Sequence, residues 1–246
     1  GVKSTLENNA IDFETIINNL GQVEASKKRN DRIQFTINDH LRALILAMLS
    51  VQRPWKPIME NMDKIDEIFY FYDPNRLEKA DSESLITEIK AIKCGNRSIN
   101  YQMKHLSDNI KQLQKIELEY GSLDNFVMNN PPEKVAKMLH SSNSEYELKG
   151  IGPALAMEYL KSVGIASVKP DLHIIRICGP GRLDIIPEKN AEKQFTAFKE
   201  FAKKANLTST YLDNLFWIFG AKNFGEICSI NPKCEICELK EYCNYI

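Results

Sequence analysis

Leu148-Lys149-Gly150-Ile151-Gly152-Pro153-Ala154-Leu155-Ala156 is the stretch that decides how this 246-residue chain reads. An apolar residue, a Gly-x-Gly turn and an Ala-rich run spell two helices joined by a tight hairpin. The glycines let the chain turn sharply and bring bare backbone close to a partner. Pro153 is a good first helical residue, because its missing N–H would have been unpaired anyway. Free N–H groups at the turn and helix start suit an anionic oxygen. Taken alone, such a turn is as often only a connection between helices. Nineteen residues after Gly152 comes Asp171, within Lys169-Pro170-Asp171-Leu172-His173. That carboxylate either caps the helix beginning near Leu172 or is placed for chemistry.

The second informative feature lies at the far end. Cys228, Cys234, Cys237 and Cys243 form a C-x5-C-x2-C-x5-C array in the last nineteen residues. Disulfides are the plain alternative, but no secretory signal pattern supports an oxidising compartment. Four thiolates at this spacing suit tetrahedral zinc or an iron–sulfur cluster, and spacing alone does not separate the two. Cys94 and Cys178 read as buried thiols.

Composition bounds the rest. The formal net charge is −1, so any nucleic-acid face must come from local asymmetry. Residues 86–116 carry Lys90, Lys93, Arg97, Lys104, Lys111 and Lys115 against Glu88 and Asp108. Residues 148–182 carry Lys149, Lys161, Lys169, Arg176 and Arg182 against Glu158 and Asp171. A charged helix face is usually only solvated, yet this polarity is also that of a DNA-facing side. The longest apolar run, Leu44 to Val51, is too short to span a bilayer. The expected setting is intracellular, with no membrane partner.

Helical spacing runs through most of the chain. Ile11 to Leu20 reads as a helix stopped by Gly21, and Glu24 to Asp31 as a charged linker. Asn38 or Asp39 is the expected cap of a helix from about His40 to Gln52, apolar on nearly every face and therefore central. Further helices are expected over Ile58–Tyr72, Ser82–Ile92, Ile99–Leu113, Leu123–Met128 and Glu133–Leu139. Strand-like alternation is scarce, so the expected class is all-α.

The segment Leu148 to Arg176 resembles the helix-hairpin-helix, Gly/Pro-rich loop and Asp of the DNA glycosylase superfamily typified by endonuclease III, and the likeness extends from about Phe35 to the C-terminus. The cysteine array resembles that family's [4Fe–4S] loop, with five residues between the first two cysteines where six are usual. The resemblance implies two helical lobes, a bundle over 37–166 and a cluster lobe made of 1–36 with 167–246. Substrate would enter between them, near Gly179-Pro180-Gly181 and Asp171. It also implies a [4Fe–4S] cofactor on the four cysteines, zinc being the alternative, and a monomer acting on double-stranded DNA that carries a lesion, mismatch or modified base.

Carried onto this chain, the family's roles give Asp171 as the catalytic carboxylate. It would stabilise an oxocarbenium-like sugar and orient the attacking water while the target base is flipped out. Lys149, Gly150, Ile151, Gly152 and His173 would meet DNA, and Gln52 matches a Gln that enters the duplex at the vacated position. Asn96 or Arg97 stands where the opposite wedge residue is expected. Tyr101, Trp55 and Phe35 are candidates to stack on a flipped base, though each reads more readily as a core aromatic. One departure sets the reaction type. Where bifunctional relatives carry the Schiff-base Lys, this chain has Ala154, so a monofunctional N-glycosylase of base excision repair is implied. Leu41 to Arg53 also lacks any Asp or Glu, unlike the adenine-excising members. The alternatives are a non-catalytic, structure-specific DNA-binding module and a bifunctional glycosylase/lyase that recruits a substitute lysine.

Overall fold

The computed structural model describes residues 1–167, 172–187 and 189–245. Regular structure among them is entirely helical, sixteen α-helices and three 3-10 turns with no strand. None of these helices is long and apolar enough to cross a membrane. The chain divides into two compact units, residues 28–165 and residues 1–27 with 166–246.

The first boundary falls at 27/28 rather than at the expected 36/37, and inside a helix, Gln22–Asn30, rather than in a linker. The reason is one side chain. Arg29 donates from Nε to the Val163 carbonyl at 2.8 Å and from Nη1 to Asp124 Oδ2 at 2.6 Å. The Phe35 N–H donates to the same Asp124 oxygen at 3.0 Å, and the Phe35 ring lies 4.2 Å from the Arg29 guanidinium. Asp124 is in turn bonded to His40, whose Nε2–H donates to Asp124 Oδ1 at 3.1 Å while Nδ1 accepts from the Tyr159 hydroxyl at 2.6 Å. This buried network ties the non-helical approach, residues 31–36, to the bundle. Burial lowers the His40 pKa, and its hydrogen bond to Asp124 only partly opposes the effect. Burial works against the Asp124 carboxylate too, but the hydrogen bonds from His40, Arg29 and Phe35 outweigh it and hold its pKa well below the usual range.

Within the 28–165 unit the central helix is Ile37–Leu49, with nine of its residues buried. Its cap is Thr36, not Asn38 or Asp39. Asp39 instead accepts from the Thr36 N–H at 2.7 Å and completes a capping box. Two expected long helices are broken. The 58–72 segment becomes Lys56–Glu60 and Met62–Ile68, followed by a left-handed turn with φ of 51°, 51° and 63° at Tyr70, Phe71 and Tyr72. Each such residue costs about 1–2 kcal/mol. The turn is held by Tyr72, which stacks on Phe69 and donates to Asp66 Oδ1 at 2.6 Å. The 99–113 segment breaks at His105 into Ile99–Lys104 and Leu106–Tyr120.

The second unit is built on Ser209–Gly220, an apolar helix packed by Val2–Asn8, Phe13–Asn19, Leu172–Cys178 and Ala191–Lys204. Asp12 caps Phe13–Asn19 and shortens the expected 11–20 helix. Beyond Cys228 the described residues form only two single-turn 3-10 segments, Cys234–Ile236 and Lys240–Tyr242.

Candidate nucleic-acid interface and metal centre

Two candidate sites stand out, one in each unit. The first is the hairpin. Gly152 is the N-cap of the helix Pro153–Ser162, with Pro153 in the first turn. Gly150 takes a left-handed φ of +77°, which is why glycine is needed there. Gly152 has φ −92° and ψ 176°, a conformation open to any residue, and a Cβ added there would meet nothing within 4 Å. Space, not backbone strain, distinguishes this second glycine.

A buried Asn109 presets the turn. Its Oδ1 accepts from the Lys149 N–H at 2.7 Å and its Nδ2 donates to the Lys149 carbonyl at 3.0 Å. Ile151, expected at the DNA, has a buried side chain and gives its N–H to the Leu148 carbonyl at 3.3 Å. It anchors the hairpin in the core. By contrast, the N–H groups of Gly150, Gly152, Ala154 and Leu155 find no acceptor among the described residues. Lys149 is exposed, but its ammonium pairs with Glu147 at 2.6 Å. Ala154 is half-buried and carries no nucleophile.

Tyr101 borders this turn. Its ring edge lies 3.2 Å from where a Gly150 Cβ would sit, and the ring packs at a tilt against His105 at 4.4 Å between centroids. At 51% exposure it is a surface aromatic, whereas Trp55 and Phe35 pack partly buried against the core. Gln52 is exposed just past the central helix, with a left-handed φ of 48°. The loop holding the two wedge candidates lies beside that helix end. Asn96 Nδ2 donates to the Met48 carbonyl at 2.8 Å, and Arg53 donates to the Gly95 carbonyl. Asn96 is thereby committed to the backbone, while Arg97 is exposed and unpaired among the described residues. Part of the basic stripe is neutralised, Lys104 by Glu83 at 3.8 Å and Lys115 by Glu145 at 3.7 Å.

The second site is the cysteine tail. Cys228, Cys234, Cys237 and Cys243 line one pocket of about 300 Å³ that is partly open to solvent, together with Arg182, Ile227, Pro232, Lys233, Lys240 and Tyr245. All four are free of disulfides. Among the described residues no three His, Cys, Asp or Glu side chains are placed to hold a single metal ion. A lone tetrahedral zinc needs sulfurs about 3.8 Å apart, from Zn–S bonds of about 2.3 Å. A cluster of several irons spreads its four thiolates around its own body.

A chemical test of fit comes from Arg182. Its guanidinium is buried, and Nη1 donates to Cys228 Sγ at 2.8 Å. A buried cation calls for an anion, and no carboxylate pairs with it among the described residues. Thiolate sulfur fits that need, as neutral thiols and disulfides do not. Burial raises the Cys228 pKa and Arg182 opposes the rise. The donor set therefore suits an anionic metal–thiolate group.

His173, expected at the DNA, lies on Leu172–Cys178. Its Nδ1 is 2.8 Å from Arg176 Nη2 and its ring packs edge-on to Trp217 at 6.4 Å. Gly220 packs closely beside it: a Cβ there would stand 3.1 Å from His173 Nδ1 and 3.0 Å from Arg176 Nη2, so these side chains would have to shift to admit one. Arg176 also donates from Nε to the Cys228 carbonyl at 3.3 Å. Asp171 and the neighbouring Lys169 lie outside the described residues. The residues that sequence reasoning missed are Asn109, Arg182 and the Arg29–Asp124–His40 set, each tied to a partner at least 40 positions away. Neither a known family model nor a curated protein matches this chain.

Proposed function

We propose that the chain is a monofunctional DNA N-glycosylase of the helix-hairpin-helix class, removing a damaged, mismatched or modified base. The observation that carries the reading is the hairpin itself. An exposed turn, fixed by buried Asn109 and left-handed Gly150, leaves four N–H groups unanswered at the start of a ten-residue helix. Backbone donors at a helix start are a phosphate site. Arg97 and the Tyr101 ring on the adjoining segment supply a cation and a stacking surface, the other two things a distorted strand requires.

Asp171 follows nineteen residues later in sequence and takes the chemical role. Its ionised carboxylate stabilises positive charge growing on the sugar and orients water toward C1′. The C1′–N bond breaks and the base leaves with the bonding electron pair, taking a proton from solvent, while the water oxygen bonds C1′ and gives up one proton to Asp171 and thence to solvent. Ala154 has no amine, so no Schiff base forms and an abasic site remains. Gln52 and Arg97 flank the same end of the central helix and are assigned to the space left by the base and to its orphaned partner. A [4Fe–4S] group would be held by Cys228, Cys234, Cys237 and Cys243, where it supplies a rigid anionic core for the tail. No step of the hydrolysis passes through it.

The test is a lesion panel. Metal-loaded protein is incubated with duplexes carrying uracil, thymine mismatches, oxidised pyrimidines, 8-oxoguanine, alkylated purines or hypoxanthine, each read with and without hot alkali. Breaks that appear only after alkali, for one lesion class, and that vanish in Asp171→Asn with DNA binding retained, are the expected result. Tight binding with no base released from any duplex would replace this reading with that of a DNA-binding module.

A further inference from the structure

Arg182 sits in the turn that follows Leu172–Cys178 and is 5% exposed. Its Nη1 donates both to the Cys228 carbonyl at 3.0 Å and to Cys228 Sγ at 2.8 Å, and its Nη2 donates to the Ser229 carbonyl at 2.8 Å. The guanidinium faces the Tyr245 ring at 4.9 Å. Its own backbone carbonyl accepts the Asn244 N–H at 2.8 Å. One residue thus grips the first cysteine of the array and, through Asn244 and Tyr245, the segment just past the last.

The three acceptors of the side chain are two neutral carbonyls and one sulfur, and no carboxylate balances the charge among the described residues. Guanidinium does not give up its proton in proteins. A buried, fixed positive charge against one ligand sulfur stabilises whichever state of the bound group is more negative. One-electron reduction of an iron–sulfur group adds a negative charge, and hydrogen bonds to the sulfurs are a principal control on its potential. The fork geometry also closes the ring of ligands, since Cys228 is separated from Cys234 by a loop with no helix of its own.

We propose that Arg182 is the positioning residue of the metal–thiolate centre, clamping Cys228 and the C-terminal end of the loop and raising the reduction potential of the group bound there. The proposal rests on the reading that the four cysteines hold a metal group.

The experiment compares wild-type protein, as isolated, with Arg182→Lys and Arg182→Met. Metal content and visible absorption are read first, then midpoint potential at an electrode, then the rate at which a chelator strips the metal. Arg182→Met is expected to shift the one-electron reduction equilibrium at least tenfold toward the oxidised form, a fall of about 59 mV, and to release iron at least tenfold faster. Arg182→Lys keeps the charge but not the fork. It is expected to hold most of the potential while releasing iron faster than wild type, which a merely structural role would not separate. If Arg182→Met fails to fold, Arg182→Lys and Arg182→Gln carry the same comparison. Unchanged potential and unchanged release in the charge-removing variant would overturn the proposal. If wild type carries zinc, the cluster reading fails by itself. The clamp is then judged on the rate of zinc release, where equal rates in wild type and variant overturn it.

Discussion

The two hairpin glycines allow stability and function to be separated by one methyl group each. At Gly152 a Cβ would meet nothing within 4 Å, and the backbone at φ −92° and ψ 176° is open to alanine. Gly152→Ala should therefore change stability by less than about 0.5 kcal/mol. The same methyl would stand in the space through which a phosphate must approach the free N–H groups. Losing one charge-assisted hydrogen bond costs about 1.5–3 kcal/mol. At about 1.4 kcal/mol per decade that weakens duplex binding roughly 10- to 150-fold. Gly150→Ala has the opposite profile. Its φ of +77° costs alanine about 1–2 kcal/mol, and its Cβ would press at 3.2 Å on the ring of Tyr101. For a chain of this length Tm should fall by about 2–8 °C. The assay pairs thermal unfolding with fluorescence anisotropy of a labelled abasic-analogue duplex at two salt concentrations. Wild type should bind more weakly at the higher salt, as phosphate contacts require. Gly152→Ala that binds as wild type does, or whose binding loss merely follows a Tm loss, would refute the phosphate-gripping hairpin.

Three further outcomes follow from the same structure. Asp124→Asn leaves Arg29 buried without its anion, a pair at 2.6 Å with both side chains under 10% exposed; the expected loss is about 3–5 kcal/mol, and Arg29→Met/Asp124→Asn should lose less than the sum of the single changes. Acid stability tests the neighbouring imidazole. Because the folded His40 pKa is depressed below 6.5, the unfolded chain binds a proton the fold refuses, so stability is intact above about pH 6.5 and declines below it. Asp124, depressed below 3.8, adds a second decline at lower pH, and His40→Gln should remove the first phase only; denaturant midpoints that stay flat from pH 7 to 5 in wild type would contradict this. Borohydride should trap no protein–DNA adduct, given Ala154, and a strong adduct would mean that another lysine serves as nucleophile.

Local signals in the sequence were read well where the physics is local. Pro153 after a Gly-x-Gly turn fixes a helix start whatever lies around it, and the apolar faces of Leu41 to Leu49 demand a central position. The failures share one cause. The charged run 24–31 looks like a linker because its side chains are polar, yet it is helical and Arg29 finds its partners at Asp124 and Val163. The 58–72 segment keeps helical spacing, but the hydroxyl of Tyr72 reaches back to Asp66 and draws the chain into a left-handed turn. The site follows the same rule. The glycines and cysteines announce themselves by spacing, whereas Asn109 and Arg182 look like any polar residues until distant backbone meets them.

The tail shows why the array and Arg182 belong together. Between Ser229 and Tyr245 the chain has two single turns of 3-10 helix, and Ile230, Tyr242 and Tyr245 are 77%, 74% and 51% exposed. Ordering each residue costs about 1–2 kcal/mol of backbone entropy. Against this stand a few contacts, chiefly Leu239 and Cys237 on the core of their unit. Glu238 accepts from Asn8 Nδ2 at 2.6 Å and from Ser4 Oγ, pairs with the N-terminal ammonium at 3.7 Å and gives its N–H to Thr5 Oγ1 at 3.1 Å, and Asn244 Nδ2 donates to the Pro180 carbonyl at 3.0 Å. So small an apolar area does not hold a loop of this length. The group proposed for the four thiolates would, because its binding energy would then be folding energy. On that account the guanidinium is the complement the metal cannot supply. With the proposed group bound, it would balance the charge that four thiolates concentrate, and it would do so from the turn after Leu172–Cys178, fastening the loop to the fold as well as to that group.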